Sequence, residues 1–409
     1  MVMQPPVVVV VLVTALLFLQ PQGSTAFVSP QQQQHQQQLL HKQSCRTTTT
    51  QPLSVLKMSQ AAAAEDANPP AASVLDRSTL SLLEHININV PNHDCILDFY
   101  FGVLGCGMDP RKAENVVAGS KTVWANCGGS QFHLPYGDTP QVIPGHVGLR
   151  YNDLEGLKTR LLQHDNDNDN DNKCFQEYSI GRDPGSQQEH VRIVDTYGNV
   201  FYCRAKPNSS SSLMLRYVQP LVSADDTETW GEIATRYGRE SSECRGIDYV
   251  EFDCPVGTAS KIAQFYETVF DATTSVVVLP NDNNDKEEED GTSIAVVAFG
   301  AVDGSGRADQ SLLFRETTEP LPPYDGHHVA MYVGWDQADF EQAFRNAQTA
   351  GIVWVNSRFK DDVTDLAGAR KFQQFRFKNI IDVPTGQTIM ELEHEMRSVQ
   401  HSAWPGQPP

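Results

Sequence analysis

The chain has 409 residues, of which 51 are acidic and 31 basic, giving a formal charge of −20. So acidic a chain lacks the basic stripe that nucleic-acid binding requires and the polybasic patch that would hold it to an anionic membrane. With 40% apolar residues it can bury a sizeable core, and its length suggests two to four domains at ~100–200 residues each.

Val7–Leu19 is an apolar run broken only by Thr14. It falls short of the ~18–20 residues that cross a bilayer and fits the h-region of a signal peptide, although no basic residue precedes it. Small residues then lead into Ala26-Phe27-Val28-Ser29-Pro30, with a cleavage site expected between Ala26 and Phe27. Met1 to Ala64 contains no Asp or Glu, while Lys42, Arg46 and Lys57 are basic and Gln, Ser and Thr abound. This arm, residues 1–64, resembles the bipartite presequence of algae with complex plastids. That resemblance implies delivery to the chloroplast stroma; secretion is the alternative. Of eight cysteines, seven follow Cys45, with no Cys-x-x-Cys spacing, so zinc ribbons and thioredoxin-type redox sites are disfavoured. The odd number reads as free thiols in a reducing compartment, which weighs against secretion.

The rest of the chain repeats one pattern four times: a strand, an amphipathic helix, then β-rich sequence. Unit one opens with the alternating strand Glu84–Pro91. A helix follows with Asn92 or Asp94 as N-cap and Phe99, Tyr100, Val103 and Leu104 on its apolar face, stopped at Gly105. Strands are expected near Glu114–Ala118, Lys121–Asn126 and Ser130–Pro135. Unit two opens with Gly145–Tyr151, continues in a helix Asp153–Leu162 and ends in strands near His190–Asp195 and Asn199–Ala205. Unit three opens with Gly246–Phe252, and Ile262, Phe265, Tyr266, Val269 and Phe270 mark its helix. Unit four opens with Gly326–Tyr332, has a helix Gln337–Ala350 and closes with Gly386–His394. The expected boundaries are 83–205 for the first pair of units, 206–243 for a linker containing Trp230, 244–397 for the second pair and 398–409 for a tail. The runs Asp165–Asn172 and Asn281–Asp290 read as solvated loops. The first lacks the Gly and terminal Glu of a calcium loop.

Four βαβββ units with strand-opening histidines resemble the vicinal oxygen chelate superfamily, which includes glyoxalase I, extradiol dioxygenases, fosfomycin-resistance and bleomycin-binding proteins. The resemblance implies an α+β fold of two paired half-barrel domains around one divalent metal. It places ligands at His85, His133, His146 and Tyr202 in units one and two. In units three and four it places them at Tyr249, Leu313, His328 and Glu391, with Glu393 in reach of one extra residue. Pairing units in sequence order gives one set with no carboxylate and another with two good ligands. The exchanged pairing of glyoxalase, one with four and two with three, gathers His85, His133, His328 and Glu391 and leaves His146, Tyr202, Tyr249 and Leu313. Exchange is therefore expected, with Zn, Ni, Fe or Mn at the first set. Adjacent groups such as His327, Arg150 and His394 read as structural.

The implied activity is that of a lyase or isomerase of the glyoxalase I type on a small vicinal-oxygen substrate such as a hemithioacetal, with Glu391 as the proton-shuttling base. The alternatives are an extradiol-type dioxygenase, if His133 is not a ligand, and a non-catalytic small-molecule-binding protein. Four units in one chain suffice for a monomer, and a small-molecule substrate is the partner expected.

Overall fold

The computed structural model describes residues 76–109, 111–112, 115, 122–166, 173–183, 187–206, 242–279, 291–302 and 307–404. The presequence, most of the Glu114–Ala118 strand, the linker with Trp230, the Asn281–Asp290 insertion and most of the Asp-Asn run lie outside the described residues.

Unit one comprises β2 (Leu80–Asn87), a helix α1 starting at His93–Ile96, then β3 (Gly107–Met108), β4 (Thr122–Cys127) and β5 (Ser130–Pro135). Asn92 caps α1, its side chain accepting from the Asp94 N–H. From Leu97 to Val103 the helix widens to π geometry. The extra residue per turn lets the consecutive Phe99, Tyr100 and Phe101 all be buried, where a tighter helix would turn one outward. Gly105 ends the helix at φ +70°, with Arg160 and Glu243 packed where a side chain would stand.

Unit two follows with β6 (Gly145–Tyr151), α2 (Glu155–Asn166), β7 (Phe175–Arg182), β8 (Glu189–Asp195) and β9 (Val200–Ala205). Unit three has β10 (Cys244–Pro255), α3 (Ala259–Phe270), β11 (Thr274–Leu279), β12 (Thr292–Val302) and β13 (Ala308–Thr317). All five apolar positions expected on α3 are buried, and Asp271 closes the helix in the left-handed conformation. Unit four has β14 (His328–Val333), α4 (Gln337–Thr349), β15 (Gln374–Asp382) and β16 (Gln387–Arg397). In this unit the first of the three later strands shrinks to a bridge between Val353 and Phe377, and a short helix α5 (Leu366–Phe372) follows it.

Two mixed sheets result. The seven-stranded one runs β15-β16-β14-β2-β5-β4-β3. The nine-stranded one runs β12-β13-β10-β6-β9-β8-β7, with β11 and the short β1 (Asp76–Arg77) also on β12. At the centre of the first, β2 of unit one pairs antiparallel with β14 of unit four. At the centre of the second, β6 of unit two pairs antiparallel with β10 of unit three. The units have therefore exchanged partners, and each sheet draws on both halves of the sequence. The fold is α+β, in the paired βαβββ arrangement that the vicinal oxygen chelate resemblance implies.

Aromatic side chains tie the sheets to the helices. Phe99 and Tyr100 of α1 touch Phe201 of β9, and Tyr100 also touches Phe132 of β5. Tyr266 of α3 likewise contacts Phe314 of β13 and His394 of β16. Apart from His394, these residues belong to one continuous apolar core that draws on both sheets.

Candidate metal centre

Cross-strand register assembles the site. In the seven-stranded sheet one rung reads Glu395, Ala330, His85, Gln131, and its neighbour reads Glu393, His328, Asn87, His133, Trp124. On each strand the two rungs are two residues apart, so their side chains share a face. This face is polar, and Ala330 leaves open the space between Glu395 and His85.

His85, His328 and Glu395 are buried, and one donor atom from each lies within 4.8 Å of the other two. Among the described residues no other such group of three occurs. The His85 ring stacks on His133 at 3.6 Å and meets His328 edge-on at 5.6 Å. His85 Nδ1 lies 3.1 Å from Glu84 Oε2. Glu84 is the extra residue of a bulge where Ala330 faces His85 and Met331 faces Leu83, which brings its carboxylate beside the ring. Bonded at Nδ1 to a carboxylate, the imidazole presents Nε2, which is buried and has no hydrogen-bond partner. Such an orphan costs about 1–3 kcal/mol unless something binds it.

Burial, with help from neighbouring positive charges, holds His85, His133 and His328 well below the ordinary imidazole pKa, so all three are neutral at pH 7. For Glu395 burial acts to raise the pKa, but Arg376 and Arg397 outweigh it and keep the carboxyl well below the usual range. Oε1 accepts from Arg397 Nε at 2.6 Å and Oε2 from Arg376 Nη2 at 2.6 Å. Oε2 also lies 3.8 Å from His328 Nε2. A carboxylate has about four lone-pair sites, so one on Oε2 remains for a cation. Neutral imidazoles, an ionised carboxylate and an orphaned nitrogen are the donor states a divalent ion needs. The residues fit it.

Of the residues expected at the site, the structure brings His85, His133 and His328 together. His133 lies outside the converging three: its ring is packed between His85 and Trp124, and Nε2 is 3.2 Å from Gln131 Oε1. Glu391 is elsewhere. It is 42% exposed, bonds Lys378 at 2.6 Å and lines a different cavity. The reason is register. β14 runs parallel to β16 with His328 level with Glu393, and an irregularity in β15–β16 between Phe377 and Asn379 breaks the alternation between Glu391 and the residues beyond it. The carboxylate that reaches the histidines is Glu395. Glu393 is committed to Arg376 at 2.8 Å and Asn356 at 2.8 Å. The signal that could have found Glu395 is length: β16 continues to Arg397, past the expected end at His394.

The group opens into a cleft of about 390 Å³ walled by Trp124, Phe359 and Phe372, with Lys112 and Lys360 also lining it.

The equivalent place in the nine-stranded sheet is closed. Tyr249 stands where His85 does and Gly148 where Ala330 does. The Tyr249 hydroxyl bonds His146 Nε2 at 3.0 Å and Arg204 Nη1 at 3.2 Å. Tyr202 lies across from them beside His146, and Leu313 is buried in a small apolar cluster with Tyr249. A side chain at Gly148 would place its Cβ 2.1 Å from the Tyr249 ring. Gly148→Ala is expected to displace the ring and cost about 2–3 kcal/mol in urea unfolding while leaving the histidine cluster's metal binding intact.

No family model matches the chain, and no curated protein matches it. Among solved structures, glyoxalase I from Zea mays is 12% identical, covering 77% of this chain and 92% of its own at a TM-score of 0.40. A putative dioxygenase from Bacillus subtilis is 11% identical, covering 80% and 88% at 0.45. A fosfomycin resistance protein from Listeria monocytogenes is 8% identical, covering 37% and 90% at 0.23.

Proposed function

We propose that the chain is a metal-dependent enzyme of vicinal oxygen chelate type, with His85, His328 and Glu395 holding one divalent cation. The observation that carries this reading is the convergence of those three donors around a buried Nε2 without a partner. Two histidines and one carboxylate leave coordination positions open to a substrate's vicinal oxygen pair and to dioxygen. This favours the extradiol-type reading over the isomerase. An isomerase of the expected kind needs a carboxylate that leaves the metal and carries a proton, and Glu391 is not there to do so. Glu395 is pinned by two arginines and acts as a fixed ligand.

The bound cation would supply Lewis acidity to the paired oxygens. His133, neutral and stacked beside His85, is placed to accept a hydroxyl proton from a vicinal diol. Trp124, Phe359 and Phe372 would hold a flat substrate and exclude water from the cleft.

Oxygen uptake by the Fe(II)-loaded protein with catechol as probe tests the reaction. Oxygen consumption with ring opening is expected, together with a drop of at least tenfold in kcat for His133→Gln. Turnover of a glutathione hemithioacetal without oxygen consumption would instead establish the isomerase. Protein that binds no transition metal would leave only a small-molecule-binding role.

A further inference from the structure

A second cavity, of about 480 Å³, lies away from the histidine cluster and shares no lining residue with its cleft. Its walls come from the segment ahead of β6, from β10, from the segment ahead of β14 and from the start of β16. Pro322, Pro323, Ile389 and Met390 make much of it apolar. Its volume lies within the range of pockets that hold small organic ligands.

Asp253, Asp325 and Glu391 put carboxylates at this cavity, and the Tyr324 hydroxyl there already donates to His327 O at 2.7 Å. Asp253 on β10 donates its backbone N–H to Pro144 O at 2.7 Å, but its carboxylate has no hydrogen bond or ion pair among the described residues. Burial, together with the nearby charge of Glu251, raises its pKa to about 6 against the opposing pull of Arg315, so it is ionised at pH 7. His327 is 3% exposed and presents its ring to this cavity, while His328 beside it faces the metal cleft. His327 Nδ1 lies 2.6 Å from Asp325 Oδ1. Asp325 is itself occupied, since Oδ2 also accepts from the Val142 N–H at 2.9 Å. Glu391 is neutralised by Lys378. No Lys or Arg lines the cavity.

A largely apolar chamber with a carboxylate that makes no hydrogen bond among the described residues, and with no lysine or arginine in its lining, is complementary to an ammonium group carrying a hydrophobic body. We propose that this cavity is a binding site for a small hydrophobic primary amine, whose ammonium donates to Asp253 and whose apolar part packs against Pro322, Pro323 and Met390. The site is independent of the metal centre.

Phenethylamine and its neutral analogue 2-phenylethanol are the probes, titrated calorimetrically into the full-length protein. The amine is expected to bind at least tenfold more tightly than the alcohol. Asp253→Asn should remove that preference with no change in bound metal or in thermal midpoint, because the carboxylate makes no contact that the fold uses. Met390→Trp, which fills the chamber, should abolish binding of both probes, and it serves equally well if Asp253→Asn does not fold. Equal affinity for the two probes, no binding of the amine at millimolar concentration, or amine binding that survives Met390→Trp would each overturn the assignment.

Discussion

His85→Ala and His328→Ala are each expected to lose the one equivalent of transition metal proposed for the wild-type protein, with affinity falling by more than ~100-fold. Altering the outer partners of a metal ligand already costs 10–100-fold, and removing a ligand itself exceeds that. The two residues lie on strands far apart in sequence, so parallel losses also test the exchanged pairing of units. Glu395→Gln should behave likewise, since an amide oxygen is a weaker donor and Arg376 and Arg397 would lose their shared counter-charge. Glu391→Gln and His146→Ala should keep the metal, because both residues lie outside the converging group. Elemental analysis reads the stoichiometry, and Co(II) absorption reads the ligand field. Retention of a full equivalent in His85→Ala, or its loss in Glu391→Gln, would refute this assignment of ligands.

Acid should destabilise the protein steeply from just below neutrality. His146 and His394 are buried and their pKa values fall to about 3, with burial the main cause. His85, His133 and His328 are also lowered well below the ordinary value. In the unfolded chain all five take up a proton as pH falls through about 6.5, and in the folded chain they do not. The unfolded state then binds more protons, so stability declines with falling pH by about 1.4 kcal/mol per unit for each imidazole. Carboxyls raised by burial, such as Asp253 at about 6 and Glu251, take up protons in the folded state and offset part of the loss. Several kcal/mol should still be lost between pH 6.5 and 5, a large share of the ~5–15 kcal/mol that holds a domain together. Urea midpoints at pH 7.5, 6.5 and 5.5 would show it. A flat profile would mean that the imidazoles are already accessible to protons in the folded state.

Several elements were legible from their periodicity: β5 and β6 have the expected bounds, and the apolar face of α3 has the expected residues, while β2 begins earlier than its alternation suggested, at Leu80. The exchange of units could be argued because good ligands are scarce, and only the exchanged pairing puts three imidazoles with a carboxylate. What could not be read was register. Glu391, Glu393 and Glu395 are equivalent in an alternating strand, and only the pairing of Glu393 with His328, with the irregularity beside Asn379, decides which reaches the cleft. The π-helical turns of α1 were hidden because its aromatic run reads equally well as an ordinary buried helix. Asp253 escaped notice because an unpaired acid on an otherwise buried strand looks, in sequence, like any solvent-facing residue.

The pairing of β2 with β14 carries a kinetic cost. Asn87 of unit one must find His328 of unit four, beyond all of units two and three, and Glu395 follows later still in the chain. Neither sheet can close on a nascent chain that stops at the segment between the halves, so hydrophobic strand edges stay uncovered until the strands of units three and four emerge. Slow maturation, dependence on chaperones and no metal loading before unit four has emerged are the behaviour to be expected of such a topology.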